Sequence, residues 1–414
     1  MIRSSKHSTK FTNLRKMKTL ALFISEYRKI GQEIVDIIWN NGYEEFNIQE
    51  DKLNCPKYLD YKKFNINTSL SARALSSLVT QICFSLSSAT KKRKQILYAK
   101  NKLISEGKPL GRIDKILDKY KLIKPNFSNI NPELSSKCCD IKDGNSFNYF
   151  LRIKSIGKIY GCIKIPIKNT KVSLKWLKNG KLLNSFSIGQ QYISLRFNIT
   201  NKNVNVGTKI IGIDQGLKDV ATLSDHQITP KYDIHGHSLE SIINTISKKK
   251  RGSDAFIKSQ EHRKNFINWA INQLNFNDAK EIRLEKIWNI GYKRRTSRRL
   301  SHWTNTLIRD KIKRKCEELE VPVIEQDSSY RSQRCSCCGL VRKANRNGKI
   351  YKCKTCKFES DADYNASLNH IVDLPEISWQ FRNQRNNLKC GFYWKPSGLF
   401  SIDGVELRVP LSTD

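Results

Sequence analysis

Three acidic residues stand where apolar runs would hold them in place. Asp214 follows Lys209-Ile-Ile-Gly-Ile213, Glu285 closes Glu281-Ile-Arg-Leu-Glu285, and Asp363 lies in Asp361-Ala-Asp363-Tyr-Asn365. Cutting a phosphodiester with divalent ions needs carboxylates converging from separate segments, because each must reach one of two cations roughly 4 Å apart. Asp214 and Glu285 read as strand-end residues; an unpaired acid at Glu285, among Ile282, Leu284 and Ile287, would be expensive to bury. Asp363 reads as a helix-start residue whose charge the helix dipole favours. Each position also has a local reading. Asp214 could open a turn, Glu285 could be a surface acid, and Asp361 or Asp363 could be an N-cap. Asp219 and Asp225 are alternatives to Asp214, and Asn365 is placed to brace the helix start or a water.

A second constellation is Cys335-Ser-Cys-Cys338 with Cys353-Lys-Thr-Cys356. Fourteen residues separate the pairs, a loop length that lets two knuckles close on one tetrahedral zinc. Four thiolates leave no open position, so that Zn2+ would be structural. Cys337 is a fifth thiol able to compete, but its spacing to Cys338 is poor for chelation. Taken together, strand-Asp, strand-Glu and helix-Asp follow the order of an RNase H-like metal site.

Composition narrows the partner. The 414 residues carry 75 Lys and Arg against 38 Asp and Glu, a formal charge of +37 that points to a polyanion such as nucleic acid. Solubility needs a net charge of only roughly 2–8 in a small domain. No secretory signal or membrane span is expected: Met1 to Lys18 lacks an apolar core, and Leu20 to Ile24 is far too short to cross a bilayer. The cysteines outside the quartet region (Cys55, Cys83, Cys138, Cys139, Cys162, Cys316, Cys390) have no disulfide framework, which suggests a reducing compartment. From Lys286 to Lys315 there are eleven Lys and Arg and one acid, Asp310. Arg294, Arg295, Arg298 and Arg299 are the phosphate-contact candidates there, with Lys91, Lys92 and Arg93 as a second group. Trp303 reads equally as core or as a base-stacking platform.

The elements that must position these residues follow from periodicity. Leu14 to Ile38 and Leu70 to Leu103 repeat apolar residues at helical spacing, and the second run ends in basic residues. After a Pro- and Asn-rich linker the period becomes two. Phe147 to Ile153, Ile159 to Ile165, Val172 to Trp176 and Gln191 to Ile199 read as strands, with Asn179-Gly180 as a hairpin turn. From Gly207 strands and helices mix. Strands are expected to Asp214, over Val220 to Leu223, Glu281 to Glu285 and Val321 to Ile324, with helices over Lys258 to Asn275 and Leu300 to Leu319.

Several strings resemble the TnpB nucleases and the compact type V CRISPR effectors. They are Gly212-Ile-Asp214-Gln-Gly216-Leu-Lys-Asp-Val-Ala-Thr-Leu, Leu284-Glu285, Arg298-Arg-Leu-Ser-His-Trp303, Tyr330-Arg-Ser-Gln-Arg-Cys-Ser-Cys-Cys-Gly339 and Asp361-Ala-Asp363-Tyr-Asn-Ala-Ser-Leu-Asn369. The resemblance implies a multidomain α+β protein. Its RNase H-like (RuvC) α/β nuclease domain would occupy 207–331 and 360–371, with a four-cysteine zinc ribbon inserted at 332–359. A first strand of a β-barrel wedge domain would lie in 1–13, near His7 to Asn13. A helical recognition lobe would span 14–134, the rest of the wedge 135–206, and a tail with no recognised counterpart 372–414, either packing on the nuclease or binding RNA.

It further implies Asp214, Glu285 and Asp363 as catalytic acids around two Mg2+ ions, and Cys335, Cys338, Cys353 and Cys356 as zinc ligands. The expected partners are a guide RNA and a double-stranded DNA target, in a prokaryotic cytoplasm, on the nucleoid. A guided DNA-binding repressor and a guide-independent nuclease remain as alternatives, and monomer versus homodimer stays open. Two positions depart from the pattern. Arg331 replaces a small hydroxyl residue, and Lys286 follows Glu285 where an acid is usual.

Overall fold

Side-chain caps decide where the first long helices begin. In this computed structural model, which describes residues 1–107, 109–110, 113–200, 206–287, 298–377, 381 and 391–407, Asn13 accepts the Lys16 N–H at the start of α1 (Leu14–Asn41). Ser71 does the same for the Ala74 N–H at the start of α2 (Ala72–Ser105). The chain forms two units, Met1–Asn201 and Lys202–Asp414.

In the first unit, β1 (Ile2–Ser8) precedes α1, and a small hairpin of β2 (Phe46–Asn47) and β3 (Lys52–Leu53) lies between the long helices. After α2 come α3 (Ile113–Lys119), β4 (Glu133–Ser135), β5 (Cys139–Asp143), β6 (Tyr149–Ile153), β7 (Ile163–Ile167), α4 (Lys171–Asn179), β8 (Gly180–Ile188) and β9 (Tyr192–Ile199). They make two antiparallel sheets, β1-β9-β8-β4 and β5-β6-β7. Both sheets and both long helices share one core that includes Phe23, Tyr27, Leu78, Ile82, Phe186 and Phe197. Because β1 pairs with β9 from Ile2↔Asn198 to Ser8↔Tyr192, the helical segment is inserted between strands of a single sheet.

Four expectations are corrected here. The first strand is Ile2–Ser8, not His7 to Asn13; it turns Ser5 and His7 inward, where the His7 ring bonds Ser5 Oγ and the Lys168 carbonyl. Val172 to Trp176 is helical, because Thr170 and Ser173 form a reciprocal capping box. Val172 and Leu174 consequently face solvent while Trp176 is buried, and Asn179-Gly180 ends that helix instead of turning a hairpin. Gly180 is needed for a different reason: a Cβ there would meet the Asn198 carbonyl oxygen at 2.2 Å. Lys158–Tyr160 is a short 3-10 turn between positive-φ Gly157 and Gly161, which delays the next strand to Ile163.

In the second unit, β10 (Lys209–Gln215), β11 (Ala221–Leu223), α5 (Leu239–Lys248), α6 (Asp254–Gln273), β12 (Ala279–Lys286), α7 (Asn305–Leu319) and β13 (Val323–Asp327) follow in order. The sheet order is β11-β10-β12-β13, antiparallel between β10 and β11 and parallel across β10, β12 and β13. Helix α5, capped by Ser238, is an element the periodicity reading passed over. Helix α7 begins at Asn305, not Leu300, since Leu300–His302 is a 3-10 turn. Strand β13 begins at Val323, two residues later than expected, because Pro322 has no N–H and takes part only through its carbonyl, which accepts from Ile282.

Next come β14 (Leu340–Val341), the sheet of β15 (Arg346–Asn347), β16 (Ile350–Lys352) and β17 (Glu359–Asp361), then α8 (Ala362–Ile371). The described part of the tail adds β18 (Phe392–Lys395) and β19 (Gly398–Phe400) to β14. Phe392, Trp394 and Leu399 bury with Val341, Ile377 and Phe381, so this part of the tail is structural packing. Among the described residues, no helix is long and apolar enough to cross a membrane.

Helix α8 lies directly on β10. A Cβ on Gly212 would stand 2.1 Å from the Ser367 carbonyl oxygen and 2.8 Å from the His370 Cβ, so only glycine lets the helix approach this closely. Gly212→Ala is therefore expected to cost about 1–3 kcal/mol, read as a lowered unfolding midpoint of the second unit; an unchanged midpoint would contradict the close contact.

A half-buried carboxylate offers a second prediction. Glu26 accepts from Thr68 Oγ1 (2.6 Å), the Ser69 N–H (2.7 Å), Ser69 Oγ and Tyr160 Oη. Burial raises its pKa, but the Ser69, Thr68 and Tyr160 donors outweigh that and bring it down from 4.5 to about 2. Because the folded value lies below the unfolded one, the stabilisation is present above about pH 4.5 and disappears as pH falls towards 2. Glu26→Gln should lower stability by about 1–3 kcal/mol at pH 7 and by progressively less below pH 4.5, as followed by denaturant melts.

Candidate active site and metal centre

The sheet register brings the first two acids side by side. Ile213 pairs with Leu284 across β10 and β12, so the next residues, Asp214 and Glu285, sit together on the opposite face at the strand ends. Gln215 Nε2 donates to the Glu285 carbonyl at 3.3 Å and ties the two ends. Asp363 arrives from the start of α8. Asp361 is the N-cap there, accepting the N–H groups of Asp363 (2.9 Å) and Tyr364 (3.0 Å), so the Asp363 carboxylate is not spent on capping. It rests against the turn after β10, where a Cβ on Gly216 would lie 3.6 Å from Asp363 Oδ2.

Two of the three acids are nearly closed to water, and Glu285 is partly exposed. Asp214 is 8 % exposed and Asp363 6 %. Burial drives the Asp214 carboxyl well above its usual range, and the charges of Glu285 and Asp363 push it further, while Arg346 and Lys349 oppose them. Burial also lifts Glu285 to about 7, against the pull of Arg331 and Arg346. Asp363 is paired outright: Arg346 Nη2 is 2.8 Å from its Oδ1, and Lys349 binds its Oδ2 together with Asp219. Asp219 thus joins the cluster's edge through Lys349. Asp225 is committed elsewhere, accepting from Gln227 Nε2 at 2.6 Å.

Arg346 and Lys349 flank the Asn347-Gly348 turn between the two cysteine pairs, and sequence reasoning missed them as counter-ions. The only hint was their charge in a hairpin bounded by the candidate zinc ligands. Asn365 has a role other than holding water or the helix start. Its Oδ1 accepts the Ser336 N–H at 3.0 Å and its Nδ2 donates to the Arg334 carbonyl at 2.8 Å, tying α8 to the first knuckle.

Within the described residues, the group of His, Cys, Asp or Glu side chains whose ligand atoms all lie within 4.8 Å of one another is Cys335, Cys338, Cys353 and Cys356; the carboxylates do not close to that range. Sulfur separations are 3.6 Å for Cys335–Cys356 and 3.7 Å for Cys338–Cys353. A tetrahedron with metal–sulfur bonds of about 2.3 Å has edges of about 3.8 Å, so the quartet fits a zinc ion. Both knuckles close by backbone bonds, Gly339 N–H to Cys335 O and Lys357 N–H to Cys353 O, with positive φ at Gly339 (+83°) and Lys357 (+63°). Burial raises the Cys356 thiol, but the Phe358 N–H and the three facing thiols bring it down to about 7. Cys337 is exposed and not a member of the four. The carboxylate cluster offers oxygen donors only, which suits a hard ion such as Mg2+.

The tail and the departing arginine meet beside this centre. Arg331 donates to the Asp327 carbonyl at 3.1 Å and to the Asn369 carbonyl at 2.5 Å, and lies 5.3 Å from the Trp394 ring centre. Trp394 receives from Arg334 Nε at its carbonyl (2.7 Å) and donates Nε1–H to Pro375 O (3.1 Å).

The basic candidates separate. Arg93 grips Asp51 through two bonds, 2.5 and 2.7 Å, while Lys91 and Lys92 are exposed, with Lys92 5.1 Å above the Tyr120 ring. Arg299 pairs with Glu240, and exposed Arg298 donates to the Lys249 carbonyl. Arg294 and Arg295 lie outside the described residues. Trp303 packs on the core formed by β10, β12 and the surrounding helices.

Residues 306–370 match the family model described as Cas12f1-like, TNB domain. Two curated proteins named CRISPR-associated endodeoxyribonuclease Cas12f1 are similar. The one from Sulfoacidibacillus thermotolerans is 32 % identical over 205 residues, 41 % of this chain and 46 % of that protein. The one from Syntrophomonas palmitatica is 35 % identical over 65 residues, 16 % of this chain and 13 % of that protein. The match therefore spans less than half the length of each. Among solved structures, a Cas12f1–sgRNA–target DNA complex aligns at TM-score 0.47 and 17 % identity, covering 87 % of this chain and 82 % of the other. CasPhi-2 (Cas12j) bound to crRNA and phosphorothioate-DNA aligns at 0.48 and 9 %, covering 90 % and 91 %. The resemblance to compact type V effectors read from the motifs is thus matched in sequence: residues 306–370 match the Cas12f1-like TNB model, and the chain is similar over part of its length to proteins named Cas12f1 endodeoxyribonucleases.

Proposed function

We propose that this chain is an RNA-guided DNA endonuclease that cuts with Asp214, Glu285 and Asp363. The observation that carries the reading is the approach of those three carboxylates, from two neighbouring strands and a helix start, to one corner. Bound Mg2+ would supply charge stabilisation at the phosphate and an activated water. The chain's own part is to hold three oxygen donors near one another and to offer Arg346 and Lys349 as cations beside the phosphate path, with buried Arg331 fixing the backbone behind them. Cys335, Cys338, Cys353 and Cys356 would hold a structural Zn2+ that fixes the hairpin carrying Arg346 and Lys349.

The guide RNA and a target duplex with a short adjacent motif are the proposed partners, in a prokaryotic cytoplasm, on the nucleoid. The matched relatives are named as CRISPR-associated DNA endonucleases, and an excess of 37 positive charges suits a nucleic-acid partner. In domain terms, we assign 207–331 and 360–371 to the nuclease, 332–359 to the ribbon, and the first unit to wedge strands enclosing a helical recognition insertion.

The deciding experiment purifies the chain with its co-purifying RNA, sequences that RNA, and offers a matched, motif-flanked plasmid. Mg2+-dependent cutting is expected, abolished by chelation and by Asp214→Ala, with RNA retention unchanged. Cutting by Asp214→Ala at near the unsubstituted rate would remove Asp214 from the site. Binding without cutting would favour a guided repressor, and efficient cutting of branched DNA by RNA-free protein would favour a guide-independent nuclease. Cys353→Ser should release zinc, measured by elemental analysis of untagged protein, and lower the melting temperature; unchanged zinc content would rule out the quartet.

A further inference from the structure

Away from the carboxylates and the thiols, the segment after β11 makes a tight turn carrying Asp233-Ile-His-Gly-His237. Gly236 N–H bonds the Asp233 carbonyl at 3.0 Å, and Asp233 N–H bonds the His237 carbonyl at 3.0 Å. Gly236 takes φ +77°, a conformation that side-chain-bearing residues rarely adopt. Asp233 Oδ1 accepts the N–H groups of both His235 and His237 at 2.9 Å, which fixes the turn and directs Oδ2 away from it. Oδ2 then lies 4.0 Å from Nε2 of His262, on α6. Three of the chain's seven histidines collect here.

We propose that Asp233, His235, His237 and His262 form a surface site for one borderline divalent transition-metal ion, separate from both the carboxylate corner and the cysteine quartet. Ring centres are 4.8 Å apart for His237 and His262, meeting edge to face, and 6.5 Å apart for His235 and His237. Two imidazoles on one tetrahedral ion, with metal–nitrogen bonds of about 2.0–2.1 Å, have centres about 5 Å apart. The observed spacings bracket that value. No three of these ligand atoms lie within 4.8 Å of one another as the side chains stand, so the site would close only by rotation of side chains onto the ion. His235 and His237 are exposed and have room to turn. Three imidazole nitrogens with one carboxylate oxygen select Zn2+, Ni2+ or Cu2+ over Mg2+, the reverse of the oxygen-only nuclease corner.

The test uses untagged, zinc-loaded full-length protein titrated with Ni2+ by calorimetry. One saturable Ni2+ site is expected. His237→Ala and His262→Ala should each weaken it by at least about the tenfold that an outer-shell loss alone costs, while His226→Ala leaves it unchanged. No saturable Ni2+ binding, or equal binding by the parent, His237→Ala and His262→Ala, overturns the proposal. Cu2+ electron paramagnetic resonance on the parent gives a reading independent of variant folding: nitrogen splittings from several imidazoles support the site, and a purely oxygen or sulfur environment overturns it.

Discussion

Like charges crowded out of water must be balanced, and the second unit is organised around that requirement. At about 4 Å and an effective dielectric of 20, two carboxylates repel by about 4 kcal/mol. Burial above all raises the proton affinity of Asp214 and Glu285, and at Asp214 the charges of Glu285 and Asp363 add to it. Three basic side chains from outside the strands moderate this. Arg331 comes from the segment after β13, and Arg346 and Lys349 come from the hairpin between the cysteine pairs. Replacing one buried partner leaves the other uncompensated, which is where the large energetic penalties of such clusters arise.

Geometry supplies the other half. The parallel register of β10 and β12 fixes two of the acids, and the bare backbone at Gly212 admits the helix that delivers the third. Asn365 and Asn369 then fasten that helix to the first knuckle: Asn369 Nδ2 donates to the carbonyls of Arg331, Arg334 and Asn365 at 2.7–3.0 Å. Buried amides that satisfy so many backbone groups specify one docking pose. Strand β18 from the tail completes the wall by pairing with β14.

Much of this was legible in the residues. The cysteine spacing, the strand-end positions of Asp214 and Glu285, and the helix start at Asp363 all follow from patterns that act over a few residues. What escaped was decided either by a cap or by distant contacts. Alternation at Val172 to Trp176 looked extended, but the Thr170–Ser173 box made it helical. The first strand was misplaced because its partner, β9, lies at the far end of the unit. Arg346 and Lys349 looked like ordinary hairpin charges, since nothing local ties them to Asp363. Arg93 looked like a phosphate contact until Asp51 appeared opposite it.

The hairpin at Arg346 to Lys349 carries a further consequence. It is anchored at one end by Cys338 and at the other by Cys353, so thiol ligation and carboxylate electrostatics share a single short span of backbone. Loosening the sulfur cage would free both ends of the span that holds Arg346 and Lys349 against Asp363. Ligation at the four thiols and the charge balance at Asp363 are in this way tied to one stretch of backbone, linking sulfur chemistry to the carboxylate corner.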